Sequence, residues 1–136
     1  MVDSLTPEER SKRMSLVRSK DSKPEMAIRR LVHSLHYRYR LHDPTLPGHP
    51  DLVFKSRRKV IFVHGCFWHR HGDGCALARM PKSRLEFWRP KLEENARRDR
   101  EKQAALHALG WDYLIIWECQ LKDVDGLTSQ IRDFLG

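Results

Sequence analysis

Three patterns of apolar positions run along this chain, and each predicts a different kind of element. Ile28, Leu31, Val32 and Leu35 fall at i, i+3, i+4 and i+7, the inward stripe of an amphipathic helix. Just before them, Ser22-Lys23-Pro24-Glu25 supplies a hydroxyl N-cap, an early proline and a glutamate three residues after the cap, so this helix is predicted to run through about Leu35. Tyr37-Arg38-Tyr39-Arg40-Leu41 alternates apolar with basic, the period of a half-buried strand. Asp51-Leu52-Val53-Phe54 opens another strand, Lys55-Ser56-Arg57-Arg58 turns it, and Lys59-Val60-Ile61-Phe62-Val63 returns as a third. Between the first two strands, His42 to Pro50 carries three prolines and a glycine and reads as loop.

Downstream, Ser83-Arg84-Leu85-Glu86 repeats the capping pattern, and Pro90 either kinks the helix it starts or begins a new one. From Lys91 the composition is charged and helical, with Leu92, Ala96, Leu106 and Leu109 as apolar points and Gly110 as the stop. Trp111 to Trp117 is the most apolar run and reads as a central strand. A last helix over Asp123 to Phe134 uses Val124, Leu127, Ile131 and Phe134 as its inner face. At the other end, Thr6-Pro7-Glu8-Glu9 predicts a helix over about residues 7–17, whose Ser11-Lys12-Arg13-Met14 is too polar to pack deeply. It reads as a loosely docked surface helix or as a detachable arm, about residues 1–20, that lies on DNA. The order of elements gives the α/β class: a mixed sheet flanked by helices, in one domain over residues 1–136.

Composition narrows the function classes. Lys and Arg outnumber Asp and Glu by 26 to 18, a formal charge of +8 that favours a polyanionic partner. No stretch approaches the length of a membrane span, and the first residues lack a secretory pattern, so a soluble, unsecreted protein is expected. Three cysteines, Cys66, Cys75 and Cys119, leave metal binding, catalysis or packing as their roles.

The chemistry concentrates in His64-Gly65-Cys66-Phe67-Trp68-His69-Arg70-His71-Gly72-Asp73-Gly74-Cys75, which hangs from the predicted Lys59–Val63 strand. Zinc takes four tetrahedral thiolate and imidazole ligands. Cys66, His71 and Cys75 are spaced to converge in a tight turn, and Cys119 at the exit of the apolar strand supplies a fourth; His69 competes with His71 for the histidine position. Such a filled site is structural, the alternative being three ordinary buried thiols. Asp51, His64 and His69 gather a carboxylate and two imidazoles at one edge of the hairpin, a set able to carry Mg2+ and a water-activating base for phosphodiester hydrolysis. Taken singly, each is more often a turn residue or a satisfied polar group. Phe67, Trp68 and Trp88 among arginines suit base stacking or wedging into a duplex, against plain core packing.

Pro47-Gly48-His49-Pro50-Asp51, Val60 through His69, Glu86-Phe87-Trp88, Asn95-Ala96-Arg97-Arg98-Asp99, Gly110-Trp111 and Trp117-Glu118-Cys119, together with Ser11-Lys12-Arg13-Met14, resemble the very-short-patch-repair (Vsr) DNA mismatch endonucleases in order and spacing along nearly the whole chain. The resemblance implies a restriction-endonuclease-like fold and a Mg2+-dependent nick beside the thymine of a T:G mismatch left by deamination of 5-methylcytosine. It implies Mg2+ on Asp51 and the main-chain carbonyl of Val63, water activation by His69, assistance at the phosphate by His64, and support from Glu25 and Asp99. It also implies a structural Zn2+ on Cys66, His71, Cys75 and Cys119. Phe67, Trp68 and Trp88 would wedge beside the mismatch, while the N-terminal helix with Lys12, Arg13 and Met14 enters from the opposite groove. The expected partner is double-stranded DNA with a T:G mismatch, with mismatch-repair proteins as further candidates, for a monomer in the bacterial cytoplasm at the nucleoid. Two positions depart from the family pattern: Gly72-Asp73-Gly74 lengthens the step from His71 to Cys75 by two residues, and Val63 replaces a hydroxyl residue. The rival readings are a nuclease of the same fold acting on matched or methylated DNA and a non-catalytic, zinc-stapled DNA-binding module.

Overall fold

A computed structural model describes residues 22–69, 71, 75–78, 80 and 83–136. The helix expected over residues 7–17, with Lys12, Arg13 and Met14, lies outside the described residues, as does Gly72-Asp73-Gly74. The first helix, α1 (Lys23–Ser34), starts where its capping sequence predicts: the Glu25 N–H donates to Ser22 Oγ at 3.4 Å. Its inward stripe buries Ile28 and Val32 completely, and the same stripe one turn earlier buries Glu25.

Four strands follow: β1 (Arg40–Leu41), β2 (Leu52–Phe54), β3 (Lys59–His64) and β4 (Asp112–Trp117). They form one sheet in the order β1-β2-β3-β4, antiparallel across the first two pairings and parallel between β3 and β4. The hairpin of β2 and β3 turns through a 3-10 segment, Lys55–Arg57, and a left-handed Arg58. The strand expected over Tyr37–Leu41 is only two residues long, because the Arg40 and Leu41 side chains are exposed and Tyr37 and Tyr39 instead pack against the core from the connecting segment. The expectation of a central position for Trp111–Trp117 is corrected: β3 is internal, and β4 lies at the sheet edge among the described residues. Its apolar content reflects helices on both faces, since Leu114 and Ile116 contact one core cluster and Ile115 the other.

The long helix α2 (Leu85–Ala108) runs without a break through Pro90. Ser83 does not cap it; the N-cap position falls on Arg84, at φ 57°, with no side-chain cap. Its C-terminus is a Schellman motif, with Gly110 at φ 85° donating to the His107 carbonyl and Trp111 to that of Leu106. Leu109, expected on the apolar face, is exposed at this cap. The last helix, α3 (Val124–Leu135), is capped by Asp123 and buries Leu127, Ile131 and Leu135, whereas Val124 in its first turn faces solvent.

Among the described residues, two clusters hold most of the buried apolar side chains. Ile28 and Val32 of α1 and Leu127, Ile131 and Leu135 of α3 cover one sheet face with Leu52, Phe54, Ile61 and Ile116. Leu106 of α2 closes the other with Val53, Val60 and Phe62. Each fully buried aliphatic side chain contributes about 1.5–3 kcal/mol from removal of apolar area from water. No helix among the described residues is long and apolar enough to cross a membrane.

Candidate active site and metal centre

Asp51 immediately precedes β2, and the antiparallel register that pairs Leu52 with Ile61 lays it beside the outgoing end of β3. There the Val63 N–H donates to Asp51 Oδ2 at 2.7 Å. Burial pushes the Asp51 carboxyl up to about 7, the nearby Glu25 adds to the rise, and the Val63 N–H opposes it. Glu25 is held by Arg29 Nη2 at 2.5 Å and His42 Nε2 at 2.8 Å, both on Oε2. One ligating atom each from Glu25, His42 and Asp51 fit within 4.8 Å of one another. A buried carboxylate beside a half-buried one, with an imidazole, is a donor set suited to a hard divalent cation.

Past Val63, the end of β3 delivers His64, and the loop turns tightly enough for the His69 N–H to reach the Gly65 carbonyl and the His71 N–H that of Cys66. His64 and His69 stack face to face, with centroids 3.8 Å apart. His69 Nδ1 lies 2.5 Å from Asp99 Oδ2 on α2, an arrangement that selects one tautomer of the neutral ring and leaves the Nε2 lone pair available. Burial drives His64 down to about 3, helped by the positive charge its neighbour His69 can carry. Asn95, one turn before Asp99, ties the loop to α2 through an Nδ2–H donated to the Trp68 carbonyl at 3.2 Å.

These groups open into one cleft of about 730 Å³, whose walls include His42, His49, Asp51, His64, His69 and Asp99, with Arg98 and Lys102 adding positive charge from α2. Gly48 lets the loop after β1 close down on it: at φ 82°, an added Cβ would sit 3.1 Å from the Phe62 ring and 3.2 Å from Lys102 Cβ. His42 and His49 both hold a left-handed backbone at φ 46°, uncommon outside glycine.

On the far side of the loop, Cys66, His71, Cys75 and Cys119 bring one ligating atom each within 4.8 Å of the others. His71 Nδ1 is 3.4 Å from Cys119 Sγ, while His69 is engaged with Asp99, so geometry separates the two histidines that spacing left in competition. Three thiols and an imidazole are the donor set of a structural zinc site. Burial pushes the Cys66 thiol up to about 12, with the Cys119 N–H pulling it back and the other two thiols raising it further. For Cys75 desolvation also acts upward, but the Leu77 and Ala78 N–H groups and the neighbouring thiols outweigh it and lower its pKa.

Phe67, Trp68 and Trp88 pack edge to face, with centroids 5.2 to 6.0 Å apart, and all three are half-buried, neither core residues nor free of one another. Phe87, to which the sequence pattern assigned no role, packs on Trp88 at 5.1 Å and is 45% exposed, with Arg84 and Lys91 over its ring. His42, Asn95, Arg98 and Lys102 were likewise missed. One signal was present: Leu92 and Leu106 mark an inward stripe of α2 that Asn95 and Asp99 interrupt, a polar window facing the loop.

The model of the family described as DNA mismatch endonuclease Vsr matches residues 2–76. The chain is 53% identical over 135 residues to the type II nicking enzyme V.XorIIP of Xanthomonas oryzae pv. oryzae, covering 99% of this chain and 98% of that one. It is 40% identical over 130 residues to the DNA mismatch endonuclease Vsr of Escherichia coli, covering 96% and 82%. Among solved structures, the catalytic domain of the homing endonuclease I-Bth0305I superposes with a TM-score of 0.57 at 18% identity, over 84% of this chain and 94% of that one. The mixed sheet flanked by helices is therefore the restriction-endonuclease-like arrangement expected from the sequence. By family match and by near full-length similarity to its relatives, the chain belongs to the Vsr family of DNA endonucleases.

Proposed function

We propose that this endonuclease nicks one strand of duplex DNA beside the thymine of a T:G mismatch, with Mg2+ as catalytic cofactor and Zn2+ as a structural staple. The observation that carries the reading is the convergence of Asp51, His64 and the His69–Asp99 pair in one cleft, with Phe67 and Trp68, between the two histidines in sequence, in an aromatic cluster. Asp51 and the Val63 carbonyl would hold Mg2+, which supplies charge neutralisation at the phosphate and the leaving oxygen. Glu25, fixed by Arg29 and His42, keeps a second carboxylate beside Asp51. With Nδ1 engaged by Asp99, His69 takes the proton of the attacking water at Nε2. His64, held uncharged by burial, offers a neutral imidazole to the phosphate.

Cys66, His71, Cys75 and Cys119 would bind Zn2+ with every position filled by protein, which immobilises the loop that carries His69. Phe67, Trp68 and Trp88 enter the stack beside the mismatch, and the arm with Lys12, Arg13 and Met14 approaches from the other groove. The name of the Escherichia coli relative supports mismatch specificity, and the nicking enzymes support single-strand cutting. The protein acts as a monomer in the bacterial cytoplasm, at the start of very short patch repair. The test is nicking of a labelled T:G duplex with Mg2+ against the matched T:A duplex. Preference for T:G is expected. Equal cutting of both overturns the mismatch specificity, and binding without any Mg2+-dependent product overturns the catalytic reading.

A further inference from the structure

We propose that Trp117 is a positioning residue for the two histidines of the cleft, relaying the fixation of the thiol–imidazole centre to His64 and His69. The inference rests on the catalytic roles proposed above and extends them to a residue that touches neither substrate nor metal.

The argument begins with what His64 lacks. The residue is 5% exposed, and its buried Nδ1 has no hydrogen-bond partner among the described residues. An imidazole rotates about a broad, two-fold χ2, so its plane is set either by a hydrogen bond or by packing. No described residue bonds to Nδ1, so the neighbouring rings set the plane. His69 covers one face at 3.8 Å, Phe62 leans on it at 5.6 Å, and Trp117 meets it edge to face at 5.2 Å and 79°. The last contact follows from topology: His64 and Trp117 are register partners on the parallel strands β3 and β4, so their side chains leave the sheet on the same side.

Trp117 is itself anchored from the other direction. Its indole stacks on His71 at 4.2 Å and 13°, and His71 Nδ1 lies 3.4 Å from Cys119 Sγ. Its main-chain N–H donates to Gln120 Oε1 at 2.7 Å, fixing the strand exit that carries Cys119. The rings therefore form a continuous series from the thiol cluster through His71, Trp117 and His64 to His69, whose far edge is held by Asp99. Removing the indole takes away the one member that touches both the cysteine–histidine centre and the cleft pair. His64 is then free to turn, and the base stacked on it is misplaced, the kind of displacement that costs about 100-fold in rate.

Trp117→Leu and Trp117→Phe, prepared as the zinc-loaded full chain, test this. The readouts are zinc content, affinity for an uncut T:G duplex without Mg2+, kcat and KM with Mg2+, and the ring-proton NMR signals of His64 and His69. For Trp117→Leu the expected result is full zinc content and unchanged affinity, a kcat lowered about 100-fold at unchanged KM, and displaced ring signals of both histidines. Trp117→Phe, which keeps an aromatic ring between His71 and His64, should recover most of kcat and wild-type-like histidine signals. Unmoved His64 and His69 signals in Trp117→Leu would overturn the proposal. So would a Trp117→Phe variant as impaired as Trp117→Leu, or loss of zinc and DNA affinity in both, since those describe a residue that only maintains the fold. Failure of the wild-type protein to nick DNA would overturn the proposed function instead, and the NMR comparison would still decide the role of Trp117.

Discussion

The imidazoles of His64 and His69 lie parallel within 9°, one buried with no partner at Nδ1 among the described residues and the other in contact with a carboxylate. Two charged rings at a centroid separation of 3.8 Å would repel. Burial settles which one stays neutral: His64 is driven down to about 3, while His69 lies against the Asp99 carboxylate, as its proposed role as base requires.

That division of labour predicts the kinetics of two variants. His69→Ala should lower the single-turnover nicking rate by about 100- to 10,000-fold, the range of a lost general base. Asp99→Asn keeps the shape of the pair but removes the charge that stabilises protonated His69, and should cost about 100-fold. Affinity for uncut duplex should be unchanged in both. An Asp99→Asn enzyme at the wild-type rate would show that His69 does not depend on this partner.

Asp51 predicts a stability cost in the metal-free protein. Its carboxyl is raised from 3.8 to about 7 by burial and by Glu25. Below about pH 4 the folded and unfolded chains both hold the proton; as pH rises toward 7 the unfolded chain releases it first, so stability falls. The loss is complete above 7 and is on the order of a few kcal/mol. Metal-free Asp51→Asn should therefore be more stable than wild type at pH 8 and similar to it at pH 4, while losing Mg2+-dependent nicking. Mg2+ should narrow the gap at pH 8 by binding only the folded wild type. Denaturant melts at the two pH values check this.

His64 acts in the opposite sense. Its pKa is lowered from 6.5 to about 3 by burial, so its contribution is present above about 6.5 and is lost as pH falls toward 3. In the Asp51→Asn background this leaves stability rising with pH between about 3 and 6.5, and His64→Gln should flatten that slope.

The four ligands proposed for zinc join segments distant in sequence, which makes the site a cross-link between the β3 loop and the exit of β4. Cys119→Ser should bind less than one zinc per chain and lose about 3 kcal/mol or more of stability, within the range of lost metal sites. A chelator should destabilise the wild type and leave the variant unchanged. Stoichiometric zinc in Cys119→Ser would remove this residue from the ligand set.

Phe87 is the most exposed member of the aromatic cluster and has two cations over its ring. If it stacks on a base, Phe87→Ala should weaken duplex binding by about 1–3 kcal/mol, the cost of losing one base–aromatic contact. Chain stability should change less than binding does, because nearly half of the residue is exposed and it belongs to neither core cluster. Equilibrium binding to uncut T:G duplex measures the effect.

Much of the fold was legible because its signals are local. The stripe of α1, the hairpin of β2 and β3 and the glycine stop of α2 each depend on neighbours a few residues away, and each lies where its spacing predicts. Ser83 failed as a cap because capping needs an extended backbone at the cap position, and the chain enters α2 instead through a left-handed Arg84. Trp111–Trp117 has the composition of a central strand yet lies at the sheet edge among the described residues, its apolar side chains being shared between the two core faces: Leu114 and Ile116 pack into one and Ile115 into the other.

By itself, the sequence determined the family, the mixed α/β order and the loop in which thiols, imidazoles and aromatics alternate, because these are written in residue types and spacing. The tertiary structure alone decided how that loop divides: His71 toward Cys119, His69 toward Asp99, His64 between His69 and Trp117. The same is true of His42 against Glu25, separated by 17 positions in the chain. The physical reason is that a side chain's partner is set by which elements the sheet register and the two core faces bring together, and no local period encodes that pairing.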